Sequence, residues 1–150
     1  MNLHIKNTGA SFGAFVTGVD LTRDLSAEII AKLRALWLKH KVLAFPDQNM
    51  SDEDLKRFTQ YFGDFGEDPY LKHIEGSDHI AAIQRNADEK TPIFAENLHS
   101  DWSFQDIPPA GTCLFGITIP PMGGNTIFAD QVAAYERLPD ELRKTADSLV

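Results

Sequence analysis

The chain has 150 residues, of which 43% are hydrophobic and 24% charged, and this suits one soluble domain with a buried core. Its net charge of −8 argues against nucleic acid or an anionic membrane as a partner, because both bind basic patches. Cys113 is the single cysteine, so no internal disulfide can form; we interpret it as a small core residue rather than a nucleophile. The N-terminus lacks a signal-peptide pattern and no apolar run reaches the length of a membrane span, which predicts a cytoplasmic protein.

The first forty residues are predicted to form short strands and then a helix. Alternation and glycine turns predict strands at 3–5, 15–16 and 19–21. Ser26 is a good N-cap residue, and apolar residues follow it at helical spacing. These two signals together predict a helix over residues 27–39.

The middle of the chain continues with a strand and a second helix. The uninterrupted apolar run 42–45 predicts a central strand buried on both faces. Ser51 and Asp54 have the spacing of a capping box, which predicts the start of a helix. Residues 80–83 form a further strand candidate, and the polar stretch 85–91 is predicted to be a loop.

The last forty residues predict more strands and two short helices. β-Branched and aromatic residues predict strands at 112–119 and 126–129. Asp130 can cap a helix over 131–137, and Pro139 stands at a first-turn position of the next helix. The pattern predicts an α+β domain built round an antiparallel sheet. The chain stops inside a helical pattern, and it has too few predicted strands to close a sandwich. We therefore expect this sequence to be the N-terminal part of a longer protein.

One stretch carries the residue types of a metal site. Residues 97–104 read Asn-Leu-His-Ser-Asp-Trp-Ser-Phe. In an extended strand, side chains two residues apart point to the same face, so His99 and Asp101 would lie side by side. They would then form two thirds of the 2-His-1-carboxylate triad that holds Fe(II). The spacing also fits a surface hydrogen bond, and His73-Ile74-Glu75 has the same spacing but runs into a turn composition.

Several ordered motifs around this stretch resemble a known family. They are 13–21, 42–48, 98–104, 108–111 (Pro-Pro-Ala-Gly), 121–129 (Pro-Met-Gly-Gly-Asn-Thr-Ile-Phe-Ala) and 133–136. Together they resemble the TauD/TfdA family of Fe(II)- and 2-oxoglutarate-dependent dioxygenases over nearly the whole chain. Because several motifs match in order, the likeness is far more specific than a lone His-x-Asp pair.

The resemblance implies a fold and a set of site residues. The expected fold is a double-stranded β-helix, or jelly roll, with residues 1–150 forming part of a single domain that is incomplete at its C-terminal side. His99 and Asp101 would be iron ligands, and the Thr126 hydroxyl would bind a carboxylate of 2-oxoglutarate. His73 and Asn97 are candidates for binding the substrate.

The resemblance also implies an activity. The enzyme would use O2 and 2-oxoglutarate to hydroxylate a small organic acid such as taurine or another sulfonate, releasing succinate and CO2. The family's third iron ligand is a later His, and a later Arg holds 2-oxoglutarate by a bidentate salt bridge. No His follows Asp101 here, and neither Arg137 nor Arg143 matches that arginine motif.

These departures leave alternatives open. The chain would be a fragment of a longer enzyme, which we favour, or an inactive truncated homologue. A jelly-roll binding module without redox activity is the alternative from another class. A zinc hydrolase is less favoured, because the chain has no His-Glu-x-x-His motif and no cysteine pair. Unpaired strand edges would make the chain prone to self-association as a homo-oligomer.

Overall fold

The computed structural model describes residues 2–68, 70–92, 95 and 97–149. The chain divides into two compact units, Met1–Ile119 and Pro120–Val150. In chain order the elements are β1 (His4–Asn7), β2 (Ala14–Thr17), α1 (Ala27–His40), β3 (Leu43–Ala44), α2 (Asp52–Gln60), α3 (Gln131–Glu136) and α4 (Asp140–Asp147). None of the helices found among the described residues is long and apolar enough to cross a membrane.

The three strands form one small mixed sheet in the order β1-β2-β3. β1 pairs antiparallel with β2, whereas β3 pairs parallel with it, so the sheet is mixed and not antiparallel throughout as predicted. The middle strand is β2, whose inward residues Ala14 and Val16 are buried. The run 42–45 was predicted to be central, but it contributes only the two half-buried residues of β3 at the edge, because it pairs with β2 on one side alone.

The strand predicted at 19–21 does not form, although Val19 and Leu21 are buried. The side chain of Gln48 takes the place of a neighbouring strand. Its amide nitrogen donates to the Val19 carbonyl at 3.2 Å, and its oxygen accepts from the Leu21 N–H at 2.9 Å. Because one side chain satisfies both backbone groups, this segment stays buried without a strand partner.

Helix α1 confirms the prediction made for residues 27–39 and is one residue longer. The Ser26 hydroxyl accepts from the Ile29 N–H, as expected of an N-cap. Its apolar stripe, which includes Leu33, packs into the core of the first unit. That core consists of Val16, Val19, Leu21, Leu25, Ile29, Leu33 and Phe58.

Helix α2 begins with the predicted capping box. The Ser51 hydroxyl accepts from the Asp54 N–H at 3.2 Å, and the Asp54 carboxylate accepts from the Ser51 N–H at 3.0 Å. The hydrogen bonds from the Ser51 backbone and then its hydroxyl hold the pKa of Asp54 below its ordinary value of 3.8. The start of α2 therefore depends on a serine and an ionised carboxylate acting together.

Replacing Ser51 with alanine is expected to lower the free energy of unfolding by about 1 kcal/mol, because the Asp54 N–H loses its side-chain acceptor and the Asp54 carboxylate loses the hydroxyl donor. Ser51→Asn, which keeps a capping oxygen, should stay near the parent. Because folding lowers the pKa of Asp54, its carboxylate stabilises the folded state above pH 3.8, and this is lost as the pH falls through the lowered pKa. Urea unfolding at neutral and acid pH checks both, and an unchanged Ser51→Ala midpoint at neutral pH would contradict the first.

Three predicted strands in the rest of the chain were wrong. The candidate at 80–83 is reduced to one antiparallel bridge between His73 and Ala81. Neither 112–119 nor 126–129 belongs to a strand in the part of the chain that the structure describes. Their apolar and β-branched composition was read correctly, but a strand also needs a partner for its backbone groups.

The two helices of the second unit follow their predicted start signals. The Asp130 carboxylate accepts from the Ala133 N–H at 3.1 Å, which confirms it as the cap of α3. Helix α4 begins at Asp140, so Pro139 is its N-cap rather than a first-turn residue. The positions at which both helices begin therefore follow from residues at or next to their N-termini.

Large apolar side chains on the two unpaired segments are exposed to solvent. They include Leu114, Ile117, Ile119, Ile127 and Phe128, with 51% to 87% of their surface accessible. Because apolar area exposed to this extent favours association, we expect the isolated chain to self-associate at micromolar concentration. Sedimentation velocity over a concentration series measures this, and a monodisperse monomer throughout would contradict it.

Candidate metal centre

His99 and Asp101 are brought together by a turn rather than by a strand. Residues 101–104 form a turn, in which Trp102 has a positive φ of 51° and its carbonyl accepts from the Gln105 N–H at 3.0 Å. The strand proposed for this motif was therefore wrong. The two side chains nevertheless meet, with His99 Nε2 3.1 Å from Asp101 Oδ1.

The other ring nitrogen of His99 is held by the backbone. His99 Nδ1 lies 2.7 Å from the Asn97 carbonyl oxygen, which can only accept, so Nδ1 is the donor. This leaves Nε2 facing Asp101 with either a second N–H or a lone pair. The Asn97 carbonyl first, and then the Asp101 carboxylate, raise the pKa of His99 above its ordinary value.

Only one oxygen of the Asp101 carboxylate, Oδ2, accepts a hydrogen bond from a hydroxyl in the described part of the chain. Its Oδ2 accepts from the Thr112 hydroxyl at 2.6 Å, whereas its Oδ1 faces His99. Thr112 was missed by the sequence analysis, because no local pattern indicates that a residue eleven positions later returns to this carboxylate. The motif thus presents one nitrogen and one oxygen to the same point.

A neutral imidazole nitrogen and a carboxylate oxygen at 3.1 Å repel each other unless a proton or cation lies between them. Adjacent ligands of an octahedral divalent ion with bonds of about 2.1 Å lie about 3.0 Å apart. The separation equals that of an N–H···O hydrogen bond from a protonated imidazole, and it is also compatible with two adjacent positions of such an ion; imidazole with carboxylate is a donor set suited to iron. Among the described residues there is no cluster of three or more His, Cys, Asp or Glu that could hold a metal ion, so the pair alone does not complete a site.

Two aromatic rings of the 97–104 stretch, Trp102 and Phe104, pack against Tyr70. Trp102 stacks on Tyr70 with centroids 5.6 Å apart, and Phe104 meets Trp102 edge-on at 6.1 Å. Tyr70 and Phe104 are largely exposed. The three rings form one apolar surface, and we refer to them as the ring cluster.

The other predicted site residues lie in different settings. His73 forms the antiparallel bridge with Ala81, and its ring centroid lies 5.9 Å from that of His79. Asn97 reaches His99 through its backbone carbonyl. Thr126 is exposed in the second unit, two residues after Gly124, whose φ is +67°.

Comparison with known proteins gives a match to a family described as "Taurine catabolism dioxygenase TauD, TfdA family" over residues 4–150. An alkylsulfatase of Acinetobacter baylyi is 30% identical, with 99% of this chain and 46% of that protein covered. A (S)-phenoxypropionate/alpha-ketoglutarate-dioxygenase of Delftia acidovorans is 32% identical, with 94% of this chain and 51% of that protein covered. The chain spans about half the length of the curated relatives it matches.

The structural comparison agrees. The crystal structure of a taurine dioxygenase from Burkholderia xenovorans matches with a TM-score of 0.74 and 31% identity, covering 97% of this chain and 51% of that one. At this level of identity and overlap, the chain has the fold of the corresponding half of that structure.

Proposed function

Because the chain belongs to the TauD/TfdA family, we propose that it carries the iron-binding motif of an Fe(II)- and 2-oxoglutarate-dependent dioxygenase. The proposed reaction hydroxylates a small organic acid, consumes O2 and releases succinate and CO2. The proposal rests chiefly on the distance of 3.1 Å between His99 Nε2 and Asp101 Oδ1. When bound, iron with 2-oxoglutarate supplies the oxidant for a C–H bond.

The residues of this chain would hold the metal and orient its ligands. His99 and Asp101 would each give one atom to the metal, while Asn97 and Thr112 hold the atoms on the far side. The Thr126 hydroxyl would donate to a carboxylate of 2-oxoglutarate, a role supported by its match to the family motif at 121–129. With two ligands in place, the remaining metal positions stay available for a third ligand and the substrates.

The proposal extends beyond this chain. The matched relatives are about twice as long, so we place the third ligand, a His, and the 2-oxoglutarate-binding Arg in sequence outside it. Residues 1–150 would then be part of a single jelly-roll domain. The exposed apolar segments at 112–119 and 126–129 would become strands once that sequence supplies their partners.

The substrate is proposed to be a small acid with an apolar part, such as taurine or another sulfonate. Relatives of this chain are named for sulfate esters and for phenoxypropionate, which share an anionic group on an organic scaffold. The ring cluster would contact the apolar part. His73 and Asn97 would contact the polar part, with the His73 ring and the Asn97 amide as donors.

The test is an anaerobic titration with Fe(II) and 2-oxoglutarate, followed by the visible charge-transfer band of the chelate. Succinate formation is then measured with taurine, an alkyl sulfate ester and phenoxypropionate. A saturable band and substrate-dependent succinate support the dioxygenase. No band from this chain, and none from a longer chain that includes a downstream His and Arg, would favour a binding module or an inactive homologue.

A further inference from the structure

We propose that Thr112 is a positioning residue for the metal centre. Its hydroxyl fixes the Asp101 carboxylate so that a single oxygen, Oδ1, faces His99 Nε2. This deepens the proposed function and rests on His99 and Asp101 being ligands. It adds a residue from outside the His-x-Asp motif to the machinery of the site.

The first argument is that the two carboxylate oxygens of Asp101 have different partners. Thr112 Oγ1 donates to Asp101 Oδ2 at 2.6 Å, and Oδ1 lies 3.1 Å from His99 Nε2. A free aspartate side chain can exchange between χ1 rotamers, and its carboxylate can chelate a metal with both oxygens. With Oδ2 engaged by a hydroxyl, rotation is opposed and one oxygen remains for the metal.

The second argument is the match between the two halves of the pair. The Asn97 carbonyl holds the far nitrogen of His99 just as Thr112 holds the far oxygen of Asp101. Partners of this kind orient metal ligands, and losing one lowers metal affinity by about 10- to 100-fold. Each ligand therefore has one atom anchored and one atom directed to the same point.

The third argument is that Thr112 is itself anchored to the helical core through its neighbours. A Cβ added at Gly111 would lie 2.6 Å from the Trp37 ring of α1, so the backbone there lies directly against that helix. On the other side, the Cys113 thiol lies beside the Thr59 side chain of α2, whose hydroxyl acts to lower the pKa of that thiol. Although Cys113 is exposed as a residue, desolvation of its sulfur raises the thiol pKa.

These contacts hold the backbone around Thr112 against the helices, whereas, among the described residues, the 97–104 stretch has no such contact with the hydrophobic core. The 97–104 stretch lies outside the hydrophobic core, and His99 and Asp101 are each about half exposed. The Thr112 hydroxyl therefore connects this exposed stretch to a segment whose neighbours lie against α1 and α2. Thr112 thus transmits the position of the core helices to one metal ligand.

The experiment compares the parent chain with Thr112→Val, Thr112→Ser and Thr118→Val. Valine keeps the shape and removes the hydroxyl, serine restores the hydroxyl, and exposed Thr118 is the matched control in the same segment. The first readout needs no metal: three-bond NMR couplings from the Asp101 Cγ carbon report whether its χ1 angle holds one rotamer or averages. The second readout is the affinity for Mn(II) as an unreactive probe of the site.

We expect one Asp101 rotamer in the parent, averaging in Thr112→Val, and recovery in Thr112→Ser. Mn(II) affinity should fall about tenfold in Thr112→Val and stay at the parental value in Thr118→Val. An averaged rotamer in the parent, an unchanged rotamer in Thr112→Val, or an unchanged Mn(II) affinity in a chain that binds Mn(II) would each overturn the proposal. If the parent binds no Mn(II), the metal site fails for this chain, and the metal-free couplings still decide whether Thr112 fixes Asp101.

Discussion

Replacing His99 with alanine is expected to abolish the charge-transfer band of the Fe(II)–2-oxoglutarate chelate in the protein that forms it. Each of the two proposed ligands would supply one of a few bonds to the metal. Among the described residues, no third His, Cys, Asp or Glu lies close enough to this pair to take over from a lost ligand. Loss of a partner that merely orients a ligand lowers affinity by about 10- to 100-fold, so loss of the ligand itself should exceed about 100-fold. Asp101→Ala should have the same effect.

The same variants should leave the fold unchanged. The two side chains are 49% and 47% exposed and lie outside the hydrophobic core, so truncation opens no cavity. The far-UV circular dichroism spectrum and the urea midpoint should match those of the parent chain. The control is His4→Ala, which removes another exposed histidine from β1, far along the chain from the motif.

Two results would contradict this assignment. If His99→Ala kept the band at the parental Fe(II) concentration, another group would be the ligand. If His4→Ala lost the band as completely as His99→Ala, the loss would reflect histidine removal in general rather than the proposed site. A band lost in both His99→Ala and Asp101→Ala, with His4→Ala unaffected, is the expected pattern.

The helices could be predicted from the sequence because their signals are local. The Ser26 cap and the stripe through Leu33 lie within one helix length, and the Ser51 box spans four residues. The strands depend on partners that the local pattern does not specify. The run at 42–45 was therefore placed at the centre instead of the edge, and Gln48 replaced a strand at 19–21.

The same distinction applies to the candidate metal centre. The closeness of His99 and Asp101 was predicted from a two-residue spacing, although the backbone reaches it through a turn. The contact from Thr112 joins residues eleven positions apart and depends on how 111–113 packs against the helices. Such a contact is a tertiary feature, so the periodicity of the sequence carries no signal for it.

Replacing Leu33 with alanine is expected to give the largest loss of stability among the substitutions discussed. Leu33 is 1% exposed and packs in the cluster that joins β2, α1 and Phe58 of α2. Truncating a buried leucine removes its transfer free energy and leaves a cavity, which together cost about 2–5 kcal/mol. A loss of this size is a large fraction of the stability of a small domain.

Leu38 of the same helix provides a matched control, because 79% of its surface is exposed. Leucine and alanine have similar helix propensities, so Leu38→Ala should change the free energy of unfolding by less than about 0.5 kcal/mol. The difference between the two variants in urea unfolding then isolates burial from helix formation. If both variants lost the same stability, α1 would not present its Leu33 face to the core, and the anchoring of Gly111 and Thr112 through Trp37 of that helix would lose its basis.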